Sequence, residues 1–129
     1  MVEKYKILLV DDEADFLKIN CKRLMRRGYS VETATSCAEA ISKLETGWPT
    51  VVILDVMLPD MDGIACLKKI KEKWPAMTVL MLTGHASMQA GLMGIAHGAA
   101  DYCMKPIELD ELIEKIHIAH DETSSLHGL

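Results

Sequence analysis

Five side chains in this 129-residue sequence could do chemistry together: Asp11, Asp12, Asp55, Thr83 and Lys105. Each stands at the end of a segment of strand length, apolar in all but the last case. Ile7 to Val10 runs into Asp11-Asp12-Glu13, and Val51 to Leu54 runs into Asp55. Val79 to Leu82 precedes Thr83, and Ala100 to Met104 precedes Lys105. Taken singly, each residue has an ordinary reading. Asp11 and Asp12 would suit the start of a helix, where acids complement the dipole. Asp55 would serve as a turn aspartate, Thr83 as a strand-end residue and Lys105 as a solvated cation. Four strand ends carrying such groups are much less ordinary. Three carboxylates at one sheet edge repel each other unless something neutralises them. A hard dication does so, and Mg²⁺ suits best, because it takes one or two carboxylates and keeps several waters. A carboxylate nucleophile, a metal, a hydroxyl and an ammonium form a set suited to phosphoryl transfer.

These residues need a scaffold that brings strand ends together. The chain supplies five strands alternating with five helices. Helix one covers roughly 14–27, with Leu17, Cys21 and Leu24 inward and Gly28 as a stop. Strand two, 29–35, alternates apolar and polar residues and suits an edge. Helix two starts at Ser36, with Glu39 completing a capping box and Gly47 closing it. Ala40, Ile41 and Leu44 form its apolar stripe. Helix three covers 63–73 with Ile64, Leu67 and Ile70 inward. Helix four covers 87–97, and helix five 109–120 with Leu109, Leu112, Ile113 and Ile116 inward. Helix–Trp–Pro–strand occurs twice, at Trp48-Pro49 and Trp74-Pro75.

Such alternation means parallel pairing with right-handed crossovers. Strands one, three and four are near-continuous apolar runs and belong in the middle. Strands two and five, more polar, belong at the edges. The order 2-1-3-4-5 satisfies both conditions. The expected fold is therefore α/β: a flavodoxin-like, three-layer, doubly wound sheet of five parallel strands. Its switch point lies between strands one and three, whose ends carry Asp11, Asp12 and Asp55.

Composition narrows the classes. Half the residues are apolar and 26% are charged, which excludes a disordered chain. The net charge of −5 comes without any basic run, so direct nucleic-acid binding is not expected. No apolar run approaches the ~20 residues needed to span a bilayer, and no signal-peptide pattern opens the chain. Cys21, Cys37, Cys66 and Cys103 are scattered and read as small reduced core residues of a cytoplasmic protein.

The sequence resembles bacterial two-component response regulator receiver domains from about Lys6 to His120. The acidic pair Asp11-Asp12, the loop from Asp55 through Pro59 to Gly63, Thr83, and Tyr102-x-x-Lys105-Pro106 carry the likeness. It implies one domain, with 121–129 as a polar tail or the start of a linker. It implies that Asp55 accepts phosphate from a sensor histidine kinase or a phosphotransfer protein. It implies direct Mg²⁺ ligation by Asp12, Asp55 and the backbone carbonyl of Met57, with Asp11 acting largely through water. Thr83 and Lys105 would contact the phosphoryl group, and the Lys105-Pro106 bond would be cis. Thr83 and Tyr102 would form a switch that changes the face of helix four, strand five and helix five for a downstream protein or the chain's own output domain. Slow self-dephosphorylation would reset it, and the output would be a conformation rather than a product. Met57 and His85 would tune phosphoryl lifetime.

Helix four departs from the family's habit of charge there. It holds Gly91 and Gly94 among Met88, Leu92, Met93 and Ile95. That composition suggests either a marginally stable, adaptable docking face or a homodimer contact. The histidines read as solvated. A haloacid-dehalogenase-type phosphatase would need an acid two residues after its nucleophile, where Met57 follows Asp55 and Glu13 follows Asp11. A flavodoxin would need a hydroxyl- and glycine-rich loop where Asp11-Asp12-Glu13 stands. The remaining alternative is a receiver-fold binding module that works without phosphorylation.

Overall fold

The computed structural model describes residues 5–84 and 88–126; His85 lies outside the described residues. Five strands alternate with five helices: β1 (Lys6–Val10), α1 (Ala14–Arg26), β2 (Ser30–Ala34), α2 (Cys37–Leu44), β3 (Val51–Asp55), α3 (Gly63–Lys73), β4 (Thr78–Thr83), α4 (Met88–Ala96), β5 (Asp101–Met104) and α5 (Leu109–Leu126). All pairings are parallel, in the order β2-β1-β3-β4-β5, as the polarity of the strands suggested.

Alternation along each central strand divides the core between the two sheet faces. Leu8, Val10, Val52, Leu54, Val79 and Met81 pack with α2 and α3 on one side. Ile7, Leu9, Val51, Ile53, Leu80 and Leu82 pack with α1 and α5 on the other. Full burial of each such side chain contributes about 1.5–3 kcal/mol, so the central strands are held firmly in register. Gly28, Gly47 and Gly98 follow α1, α2 and α4 with φ of 92°, 76° and 108°, the left-handed conformation that ends a helix.

Four expectations need correction. First, Ser36 Oγ accepts from the Glu39 N–H at 3.1 Å, but Glu39 does not return the bond to Ser36. Its carboxylate instead accepts from Thr35 N at 2.7 Å and Thr35 Oγ1 at 3.1 Å, so the box closes one residue early. Second, the fifth helix does not end near His120. The helix α5 continues to Leu126, and Thr123 is buried with its hydroxyl donating to Ala119 O at 2.8 Å. Third, Cys37 and Cys66 are joined as a disulfide, with Cα atoms 5.8 Å apart, while Cys21 and Cys103 are free. The α2–α3 packing sets the first residue of α2 beside the first turn of α3, a proximity that a sequence separation of 29 conceals.

His117 is also more engaged than a solvated histidine: its Nε2 lies 2.8 Å from Tyr29 Oη, and its ring meets Tyr5 edge-on at 4.7 Å.

The two α4 glycines have a packing role. A Cβ on Gly91 would lie 2.5 Å from the Tyr102 ring, and one on Gly94 would lie 2.6 Å from Met81 Cγ. Their absence lets α4 lie close on β4 and β5. Leu92, Met93 and Ile95 face outward at 55%, 46% and 40% exposure. We expect Gly91→Ala to lose about 1 kcal/mol in urea unfolding, because overpacking against Tyr102 exceeds the gain in helix propensity. A variant as stable as wild type would contradict this close packing.

Candidate functional site

The parallel register decides what meets at the carboxyl edge. Val10 pairs with Leu54 across β1 and β3, so Asp11 and Asp55 follow as neighbours. Asp55 pairs with Leu82, and Thr83 pairs with Met104, which brings Thr83 and Lys105 to the same edge. The Lys105 N–H donates to Thr83 O at 2.8 Å, fixing the chain where the lysine departs from β5. The Lys105-Pro106 bond is cis, as the resemblance implied.

Asp11, Asp55 and Thr83 are buried, whereas Asp12 is exposed. Carboxylate oxygens of Asp11, Asp12 and Asp55 lie within 4.8 Å of one another. Lys105 Nζ stands 2.6 Å from Asp11 Oδ2 and 3.7 Å from Asp55 Oδ2. Asp55 Oδ1 accepts from the Met57 N–H at 3.3 Å. Burial of its carboxyl, then the charge of Asp11, pushes Asp55 up to about 6, against the opposing pull of Lys105 and the Met57 N–H. Burial alone would lower the Lys105 ammonium, but its bonds to Asp11 and Glu13 leave it above the ordinary lysine value.

The loop between β3 and α3 is held from several sides. Asp62 Oδ1 caps α3 by accepting from Ile64 N at 2.8 Å. Asp60 reaches across to α2, accepting from Cys37 N at 2.9 Å and Ala38 N at 3.0 Å. Those backbone bonds hold the Asp60 carboxyl below its ordinary range. These acids therefore cap helices and leave the mouth of the site to Asp11, Asp12 and Asp55. Met57 itself points outward at 69% exposure, which leaves its backbone rather than its thioether for the site.

Every site residue singled out in the sequence except His85 lies among the described residues. Asp11, Asp12, Asp55 and Lys105 form one cluster, and Thr83 stands at the adjacent strand end. Tyr102 lies one strand further out, half-buried, its ring against the backbone of α4 at Gly91. Two participants were missed. Glu13 Oε1 lies 2.8 Å from Lys105 Nζ, and the Phe16 ring lies 4.3 Å from it. Glu13 had one available signal, its place directly after the acidic pair; Phe16 had none.

The donor set fits a hard dication: three carboxylates converge, and the charge of Asp11, which a cation would offset, adds to burial in raising the proton affinity of Asp55. A consequence for stability follows. With the folded pKa near 6 and an unfolded value of about 3.9, the native state holds the Asp55 proton more tightly. Stability contributed by the protonated form is full below about pH 4 and is lost as pH rises through about 6. Without metal, Asp55→Asn should exceed wild type by about 1–2 kcal/mol near neutral pH, after allowance for solvent screening. The two should converge toward about pH 4, and urea titrations at both pH values measure it. Equal stability near neutral pH would show that Asp55 is not electrostatically strained.

Comparison with known proteins identifies the chain. A model of the response regulator receiver domain matches residues 7–117. The chain belongs to the response regulator receiver domain family. This receiver domain is 37% identical over 111 residues to the transcriptional regulatory protein TrcR of Mycobacterium tuberculosis, covering 86% of this chain and 43% of that protein. It is 38% identical over 111 residues to the alkaline phosphatase synthesis transcriptional regulatory protein PhoP of Bacillus subtilis, covering 86% of this chain and 46% of that one. The chain thus spans less than half the length of these curated relatives. A CheY-like response regulator receiver domain protein from Methanospirillum hungatei superposes with a TM-score of 0.87 at 34% identity, covering 95% of this chain and 98% of that one. The chain is a receiver domain of the two-component response regulator type, with the α/β architecture expected of it. Among the described residues, no helix is long and apolar enough to cross a membrane.

Proposed function

We propose that this receiver takes a phosphoryl group from a sensor histidine kinase or phosphotransfer protein onto Asp55. The observation that carries the reading is the convergence of Asp11, Asp12 and Asp55 within 4.8 Å, with the Lys105 ammonium 3.7 Å from Asp55. Asp12, Asp55 and the Met57 carbonyl would hold Mg²⁺, with Asp11 acting largely through water. Bound there, Mg²⁺ neutralises phosphoryl oxygens during transfer. An oxygen of ionised Asp55 attacks phosphorus in line, and the bond from phosphorus to the donor's imidazole nitrogen breaks. Lys105 and the Thr83 hydroxyl meet the oxygens of the transferred group. Water later attacks the acyl phosphate and returns Asp55 to its carboxylate, so the chain resets itself and makes no product other than phosphate.

The new charge biases a two-state element. Thr83 moves toward the phosphoryl group, Tyr102 follows, and the face of α4, β5 and α5 changes for a downstream protein or an output domain. A homodimer through that face is one form the output takes. The relatives TrcR and PhoP, named as transcriptional regulators and matched over less than half of their own length, favour an output domain beyond this chain. The receiver itself, with its net charge of −5, does not contact nucleic acid directly. Its place of action is the cytoplasm.

The test is incubation with acetyl phosphate, with and without Mg²⁺, followed by intact mass. We expect a Mg²⁺-dependent, acid-stable gain of one phosphoryl group. A folded protein that gains nothing, and that also fails to bind beryllofluoride, would favour a binding module independent of phosphorylation.

A further inference from the structure

Lys105 is held away from the carboxylate it is meant to serve. Its ammonium lies 2.6 Å from Asp11 Oδ2 and 2.8 Å from Glu13 Oε1, but 3.7 Å from Asp55 Oδ2. It also stands 4.3 Å from the centre of the Phe16 ring, a cation–π contact. Glu13 is the N-cap residue of α1, and Phe16 lies one turn on, so both flank the ammonium from the same helix end. The Glu13 side chain caps nothing and is 64% exposed, and among the described residues its polar side-chain partner is Lys105. Beside this contact opens a cleft of about 500 Å³, lined by Glu13, Phe16, Asn20, Arg23, Lys105 and Ile107. The lysine stem has room to swing there.

We infer that Glu13 and Phe16 form a parking place for the Lys105 ammonium, with Glu13 the positioning residue that holds it back from Asp55 until a phosphoryl group arrives. The inference rests on Asp55 being the acceptor. The division of labour follows from burial. The bond to Asp11 is shielded and survives the movement. The bond to Glu13 is solvent-exposed and weak, so it yields to a phosphoryl group with more charge and three acceptor oxygens. Phe16 offers a surface that attracts the cation without hydrogen-bonding it, which keeps release easy. Glu13 therefore sets how often Lys105 is free to meet a phosphoryl group in transfer.

Glu13→Gln retains the shape and a carbonyl acceptor and removes the charge. The backbone roles of Glu13, its N–H donating to Asp11 Oδ1 and its carbonyl accepting from Leu17 N, remain. With acetyl phosphate and Mg²⁺, we expect the variant to gain phosphate about two- to tenfold faster than wild type. Simple relief of repulsion on an anionic donor would also accelerate it, so the same substitution is made in a Lys105→Gln background. There a parking role predicts no acceleration, whereas a general field effect persists. The second readout needs neither metal nor phosphate: acetylation of metal-free protein by an amine-reactive ester, followed by peptide mass. Lys105 should label several-fold faster in Glu13→Gln and in Phe16→Leu, while exposed Lys73 serves as the unchanged reference.

An unchanged phosphorylation rate in Glu13→Gln, equal acceleration in both backgrounds, or unchanged Lys105 labelling would each overturn the inference. If the Lys105→Gln background reacts too slowly to time, the labelling result decides. Failure of wild type to gain any phosphate would instead remove the acceptor reading of Asp55, and labelling would still report the parking contact by itself.

Discussion

Asp55→Asn should gain no phosphoryl group from acetyl phosphate in Mg²⁺, a fall of at least about a hundredfold against wild type. The amide has no anionic lone pair to attack phosphorus, and it withdraws one of the three carboxylates of the cluster. The fold should not suffer. The substitution keeps the side-chain shape at a site 4% exposed and removes a charge crowded by Asp11. Intact mass and urea unfolding on the same preparation therefore give opposite signs: chemistry lost, stability gained without metal. Addition of Mg²⁺ should raise the melting temperature of wild type and move the variant much less. A phosphorylated Asp55→Asn would move the acceptor elsewhere, with Asp12 the first place to look because it shares the cluster and is exposed.

Gly63→Ala should be the most damaging single-methyl addition in the chain. Its φ is not in the left-handed region, so the reason is space alone. A Cβ there would meet the Asp55 carbonyl oxygen first, and would lie 2.6 Å from Val56 Cα and 2.7 Å from Val56 O. All three are backbone atoms, which cannot turn aside as a side chain does. The same contact carries a hydrogen bond of 2.6 Å from Gly63 N to Val56 O, which pins the start of α3 to the end of β3. Relief requires α3 to back away from the strand that carries Asp55. We expect a loss of about 3–5 kcal/mol in urea unfolding, near the upper end for single substitutions. At about 4 °C per kcal/mol for a domain of this size, the melting temperature should fall by roughly 10 °C or more. Mg²⁺ should also lose much of its stabilising effect, because the Asp55–Met57 loop shifts with the helix. Ala65→Gly, at an exposed position two residues on, controls for helix propensity and should cost about 1 kcal/mol. A Gly63→Ala variant within that margin of wild type would show that the loop yields more easily than its backbone contacts indicate.

Much of this protein was legible from local pattern. Strands β1, β3 and β4 announce themselves as apolar runs because each is buried on both faces. Glycines after α1, α2 and α4 mark helix ends because only they adopt positive φ without strain. Polarity then sorted edge from central strands, and parallel register carried Asp11, Asp55, Thr83 and Lys105 to one edge. Side-chain identity and strand-end position were enough to nominate that cluster, since both are properties of single segments.

What only the tertiary structure decided are contacts between segments distant along the chain. Glu13 and Phe16 meet Lys105 because α1 starts where β5 ends. Asp60 caps α2 rather than its own loop, and Cys37 meets Cys66 across the α2–α3 packing. Gly91 reads in sequence as a weak point of α4, yet it is the place where the Tyr102 ring fits. Periodicity reports which face of an element is buried, because burial repeats with the geometry of that element. It carries no record of which atom of a distant element lies opposite, and that depends on crossover packing to within an ångström.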